Sequence, residues 1–196
     1  MRLKILLVVL VVLVLHSCSE PMPWNGRDVS GYFPDLEFSL LNSDGEMVAA
    51  NEFHGKTTLL YFGFTNCPGV CPATLGQISV ALDQLGAPAE FLQVLLVSVD
   101  PERDTPEAMK VYTARFGNWL HGLTGPEQDL RALNNAFKVD FLAQQADEKG
   151  NYDVVHSNRV FVFDKKGRCK LLLGNTANTP AVVSDLERLL RESGDI

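Results

Sequence analysis

Apolar positions along the chain fall into short runs parted by turn formers, and the spacing within the runs changes from one run to the next. Thr58-Leu59-Leu60-Tyr61-Phe62-Gly63-Phe64 is apolar, aromatic and short, which predicts a buried strand. Directly after it, Leu75, Ile78, Leu82 and Leu85 recur at helical spacing, and Gly86 supplies a stop. Phe91 to Val99 is nearly continuous in apolar residues, as a parallel strand covered on both faces should be. Thr105-Pro106-Glu107 then opens a helix: Thr105 is placed to cap, Pro106 lacks the N–H that N1 would leave unpaired, and Glu107 faces the dipole. Its apolar face is read as Ala108, Val111, Tyr112 and Phe116, with Gly117 as its end.

The remaining stretches follow the same logic. Phe38-Ser39-Leu40 and Met47-Val48 flank Asn42-Ser43-Asp44-Gly45 and predict a hairpin with an Asp-Gly turn. Trp119 to Leu123 is a short strand, and Gly125-Pro126-Glu127 opens a helix with Leu130, Leu133 and Phe137 inward. Residues 139 to 159 have no clean period and contain the turn-rich Asp147-Glu148-Lys149-Gly150-Asn151, so a long hairpin and a mobile loop both remain open. Val160 to Phe163 and Cys169 to Leu173 form a hairpin around Lys165-Lys166-Gly167. A last helix starts at Thr179-Pro180 and buries Val182, Val183, Leu186, Leu189 and Leu190. The order β-hairpin, β, α, β, α, β, α, loop, β, β, α points to an α/β, thioredoxin-like sandwich with an N-terminal β-hairpin and a long loop before the last β-hairpin. In such open sheets chemistry gathers at the carboxyl edge of the parallel strands. Cys67, Asp100 and the residues just before Val160, His156 among them, are all expected there.

The N-terminus changes the picture of where this domain works. Arg2 and Lys4 precede an apolar run from Ile5 to Leu15, long enough for the core of a secretory signal and too short for an ordinary membrane span. Leu15-His16-Ser17-Cys18 resembles a bacterial lipobox, which makes residues 1–17 a signal peptide and Cys18 the lipidated N-terminus. A signal anchor is the fallback. Residues 18–30, rich in proline and turn formers, read as a flexible membrane tether, and 31–196 as the domain. The expected location is the periplasmic side of a bacterial membrane. Formal net charge is −7 and falls to −9 once Arg2 and Lys4 leave with the signal, which argues against nucleic acid as a partner.

Candidate chemistry centres on Cys67-Pro68-Gly69-Val70-Cys71-Pro72, placed where a strand hands over to a helix N-terminus. The dipole and free N–H groups there favour thiolates. A pair four residues apart can bind a soft metal, attack a disulfide or close into one. Three intervening residues, where the oxidoreductase motif has two, count against a redox pair. So does the lack of any proline between Pro126 and Pro180, where thioredoxin-fold oxidoreductases carry a cis-proline; His156 stands in that place. Two sulfurs and one imidazole make a soft, low-coordinate set that suits copper better than zinc, which normally takes a fourth protein ligand in a closed site. Asp100 and Asp104 either supplement such a site or merely form a turn and cap around Pro101. His54 and His121 are read as structural, and Cys169 as a small strand-borne apolar residue.

Three stretches together carry a family resemblance: Phe62 to Pro72, Asp100-Pro101-Glu102-Arg103-Asp104-Thr105-Pro106, and Val155-His156-Ser157. They resemble the Sco (SenC) family over nearly all of the chain beyond residue 30. That resemblance implies a membrane-tethered thioredoxin-fold protein binding one copper, Cu(I) or Cu(II), through Cys67, Cys71 and His156. It also implies help in building the dinuclear copper site of cytochrome c oxidase, as copper donor, thiol reductant, or both. The implied partners are the copper-site subunit of a respiratory oxidase, with another copper chaperone or a thioredoxin-like reductant behind it. The chain departs from the family pattern at Gly69, a slot usually held by aspartate, and at Val155, where aspartate or threonine commonly precedes the histidine. Ligand exchange breaks no substrate bond, so an enzyme is not expected. The rival readings are an exported thiol-disulfide oxidoreductase working through a Cys67–Cys71 disulfide, and, more remotely, a peroxiredoxin-like peroxidase.

Overall fold

The computed structural model describes residues 23–139, 141–143, 154–156 and 158–196, the two short segments by their backbone alone. The signal peptide, Cys18 and the turn-rich tip at 147–151 lie outside the described residues. Among those described, no helix is long and apolar enough to cross a membrane.

Strand β4 (Thr57–Gly63) is buried at all seven positions, and so is β5 (Leu92–Ser98), its parallel neighbour from Thr57↔Leu92 to Gly63↔Ser98. Unbroken apolar runs become the two central strands because only a position covered on both faces removes every side chain from water. Strand β6 (Leu120–Thr124) continues the parallel set beside β5. Strand β9 (Val160–Phe163) runs antiparallel on the other side of β4, followed by β10 (Cys169–Leu173), as the closing hairpin predicts. The early hairpin is β2 (Ser39–Asn42) with β3 (Met47–Ala49), turned by Gly45 at φ 80° and joined to β6. One further strand, β1 (Arg27–Asp28), pairs with β10, giving the order β1-β10-β9-β4-β5-β6-β2-β3.

Among the described residues, four α-helices cover this sheet. Helix α1 (Val70–Leu85) ends at Gly86, φ 65°, and packs on α4 (Thr179–Ser193). Helix α2 (Pro106–Thr113) has Thr105 Oγ1 accepting the Ala108 N–H at 3.3 Å. It ends at Thr113, whose hydroxyl donates back to the Met109 carbonyl at 2.9 Å. Its buried face differs from the expected one: Met109 is fully buried and Val111 exposed. The reason is Gly122 on β6, whose missing Cβ would stand 3.1 Å from Met109, so Met109 fills that gap. Helix α3 (Glu127–Ala136) lies across from α1, and Phe137 at its end meets Phe62, Phe161 and Phe163 with ring centroids 5.1–6.0 Å apart.

One correction and one resolved alternative concern the connecting segments. The segment 18–30 is not wholly a tether, because residues 24–29 belong to the fold. Val29 is buried, Arg27 and Asp28 pair with Leu172 and Leu171, and the buried Asp185 carboxylate accepts the Asn25 and Gly26 N–H groups at 3.0 and 2.7 Å. The sequence hides this because β1 is too short for any period to show. Of the two readings of residues 139–159, the hairpin holds at its base, where β7 (Phe141–Ala143) pairs antiparallel with β8 (Val154–His156).

Candidate metal and thiol site

Both cysteines of the central motif sit at the carboxyl edge of β4, and both are free thiols. They are not equivalent. Cys71 is fully buried in the first turn of α1, whereas Cys67 is half-buried in the loop before it. Helix α1 has no side-chain cap at Gly69; Cys67 Sγ takes over part of that work by accepting the Cys71 N–H at 3.3 Å.

The inner sulfur rests in a cradle made by β4. Tyr61 faces it, and its hydroxyl donates to Cys71 Sγ at 3.6 Å. The Phe64 backbone amide also serves this sulfur. Gly63 leaves the space, since a Cβ there would lie 2.9 Å from Cys71 Sγ and 3.1 Å from the Tyr61 ring. Burial nevertheless dominates. It pushes the Cys71 thiol up to about 12, against the downward pull of the Phe64 amide and Tyr61 hydroxyl. The expectation that the helix dipole makes thiolates of both cysteines therefore fails for Cys71, because desolvation outweighs dipole and hydrogen bonds. Burial raises Tyr61 and Tyr112 as well.

Asp104 organises the loop that carries Cys67. Its fully buried carboxylate accepts the Thr65 N–H at 3.1 Å, the Thr65 hydroxyl at 2.6 Å and the Ser98 hydroxyl at 2.7 Å. Burial raises its pKa while these donors lower it. Asp100 is buried too, takes the Arg103 guanidinium, and receives order through its own N–H, which donates to Ser98 Oγ at 3.0 Å. Arg103 in turn lies over the Phe64 ring, 5.7 Å from its centroid. These two acids thus tie the loop after β5 to the loop after β4; their contacts are positioning ones.

His156 is described by its backbone only, as the end of β8 opposite Phe141. Val160 lies level with Tyr61 across the β9–β4 pair, and four residues span at most about 14 Å. The histidine backbone is thus confined to the neighbourhood of the dithiol edge, while its side chain lies outside the described residues. Among the described residues no three His, Cys, Asp or Glu side chains form a cluster that could hold a metal ion. His121 packs edge-on to Phe53 at 5.7 Å, and burial lowers its pKa. His54 lies against the turn at Gly167. Cys169 is buried in β10, and burial pushes its thiol up to about 12. Cys169 is thus the buried strand residue expected, while His54 and His121 are both partly open to solvent. Sequence reasoning missed Tyr61 and Gly63; the available signal was a lone phenol and a glycine two apart in an otherwise apolar strand, hence on one face.

Comparison with known proteins adds to this geometry. Residues 33–191 match the family model described as SCO1/SenC. A SCO2-like protein of Rickettsia typhi is 31% identical over 170 residues, covering 84% of each chain. Among solved structures, Bradyrhizobium japonicum ScoI with copper bound superposes with a TM-score of 0.72 at 34% identity, covering 80% of this chain and 99% of that one. Apo Sco1 from Thermus thermophilus gives 0.76 at 35% identity, covering 88% and 100%. The thioredoxin-like architecture is thereby shared throughout.

Four outcomes follow from this site. In the reduced protein at pH 8, iodoacetamide should modify Cys67 within minutes and leave Cys71 and Cys169 intact, as read by mass spectrometry of the digested chain. Because the folded-state pKa values of those two thiols lie above their unfolded values, the stability they contribute is full below about pH 8.5 and is lost as pH climbs toward 12. Asp104→Ala leaves three donors without their charged acceptor and should cost about 2–3 kcal/mol in urea unfolding. Gly63→Ala should displace the Cys71 sulfur and raise its alkylation rate with little change in the far-ultraviolet spectrum.

Proposed function

This chain belongs to the SCO1/SenC family, and we propose that it binds one copper ion through Cys67 and Cys71, with His156 as third ligand, and hands it on by ligand exchange. The observation that carries this reading is the unequal dithiol: two free sulfurs where the loop after β4 enters α1, one cradled inside and one half-buried. Soft thiolates select Cu(I), and an imidazole nitrogen favours Cu(II). Solved relatives more than 25% identical to this chain hold copper. The Sco family is one of cytochrome c oxidase assembly proteins. The recipient proposed here is accordingly the copper-site subunit of a respiratory oxidase, supplied on the periplasmic side of the membrane from a chain anchored through lipidated Cys18. Another copper chaperone or a thioredoxin-like reductant would load or reduce it.

The residues divide the work by exposure. Cys67 meets an incoming thiol first, because it is the accessible sulfur. Cys71 holds the cargo longest, since Gly63 and Tyr61 keep its sulfur inside the rim. To bind, Cys71 gives up a proton that burial makes it hold tightly, so copper affinity should rise with pH. No substrate bond is broken in this exchange, and the proposal is of a carrier, not an enzyme. The same pair supports a second reading, reduction of a partner disulfide: Cys67 attacks it, Cys71 closes the Cys67–Cys71 disulfide, and two electrons and two protons pass to the partner's thiols.

Anaerobic titration of the reduced protein with Cu(II) tests the first reading. The wild type should show an intense thiolate-to-copper absorption at one equivalent, weakened in His156→Ala and absent in Cys71→Ser. Apparent affinity should rise with pH between 6 and 8, because thiols release protons on binding and burial makes Cys71 hold its proton tightly. Unchanged spectra in His156→Ala would remove the third ligand. Absence of copper binding together with turnover of a disulfide substrate would replace the carrier by the reductant.

A further inference from the structure

The N-terminal arm enters the fold through a clamp that nothing in the dithiol chemistry requires. Asp185, on α4 and 2% exposed, accepts the Asn25 N–H at 3.0 Å, the Asn25 side-chain amide at 3.1 Å and the Gly26 N–H at 2.7 Å, across some 160 residues of chain. Gly26 is needed for that approach, because a Cβ would lie 3.0 Å from Leu173 and 3.2 Å from the Leu172 carbonyl oxygen. Beside it the Arg188 guanidinium lies 3.8 Å from the centroid of the Trp24 ring. Hydrogen bonds to a buried carboxylate and a stacked cation fix the arm's direction as well as its position.

That position can be read across the sheet. Arg27 pairs with Leu172, so Gly26 stands beside Leu173; Leu173 pairs with Val160, and Val160 with Tyr61, whose hydroxyl touches Cys71. Gly26, Leu173, Val160 and Tyr61 therefore form one row over four adjacent strands, about 14 Å wide at ordinary strand spacing. The arm leaves the domain at the dithiol edge, and the Lys165–Gly167 turn marks the opposite edge. The surface at the dithiol edge is also distinctive. No charged residue occurs between Lys56 and Asp83, and the exposed Pro68, Gly69 and Val70 surround Cys67.

We propose that this clamp orients the domain, turning the dithiol edge toward the membrane that anchors the chain and so toward the thiols of a membrane-embedded partner. The inference rests on the reading of Cys18 as the anchored residue. Five residues separate Cys18 from Trp24, six steps along the chain and a reach of at most about 20 Å. An arm that short, leaving from the dithiol edge, keeps that edge nearest the lipid and the Lys165–Gly167 turn farthest from it. A partner approached in this way needs receiving groups close to the bilayer surface. The segment around Cys67 adds no charge of its own, while exposed Glu102 and Arg159 put one charge of each sign at the same edge.

The test uses the full-length, membrane-processed chain in vesicles whose headgroups carry an acceptor dye. In a Cys67→Ser/Cys71→Ser background a donor is attached at Gly69→Cys, where a Cβ meets open space, or at Lys166→Cys on the opposite turn. Energy transfer should be stronger from position 69 than from 166. Asp185→Asn, which turns an amide N–H toward the arm's donors, should narrow the difference, with circular dichroism showing the fold intact. Twenty Gly/Ser residues inserted after Met22 should remove the difference without touching the clamp. Equal transfer from the two positions, or stronger transfer from 166, overturns the orientation. Recovery of the chain in the aqueous fraction overturns the anchoring premise and the proposal with it. Copper binding measured on wild-type protein from the same preparation reads the proposed function separately, so its failure is distinguishable from either result.

Discussion

A buried sulfur held against a glycine is the constraint on which this structure turns. Strand β4 ends in Gly63 because Cys71 Sγ occupies the volume a side chain would need. Tyr61, one step back on the same face, gives that sulfur a hydroxyl donor. With the inner thiol fixed, the helix must begin at Val70, and its N-terminal amides are served in part by the outer sulfur. Apolar packing holds β4 in place from both sides, so the cradle inherits the rigidity of a strand buried at every position.

From that constraint the chemistry takes its direction. One cysteine is shut away from water, and its thiol is held well above the usual range by burial. The other is reachable and lies in a loop tied down from beneath by Asp104 through Thr65 and Ser98. A dithiol so divided has an entry side and a holding side before any metal or partner arrives. The uncharged segment that carries the two cysteines and the clamped arm extend the asymmetry outward, since both lie at the same edge of the sheet.

Much of the fold was legible because period and punctuation agreed. β4 and β5 announced themselves as unbroken apolar runs, α1 by its stripe and Gly86, and α2 by Thr105-Pro106. Legibility ended where a residue's role depends on a neighbour far away in the chain. Met109 replaced Val111 on the buried face of α2 because Gly122 left a hole for it. The arm at residues 24–29 looked like a linker because its partner, Asp185, lies about 160 positions downstream. The site shows the same division. Cys67 and Cys71 could be placed by their setting between strand and helix, but how far burial would outweigh the helix dipole at Cys71 could not be seen without the walls around it. The run from Thr58 to Phe64 alone assigns Tyr61 and Gly63 no role beyond that of strand residues; the sulfur they enclose does.

The central claim is that the two sulfurs act together as the seat of a copper ion, completed by the histidine of the late loop. X-ray absorption at the copper edge of the loaded, reduced chain tests it most directly. The account expects two sulfur scatterers and one nitrogen scatterer per copper, with the nitrogen lost in His156→Ala. A first shell of oxygen and nitrogen alone would contradict it.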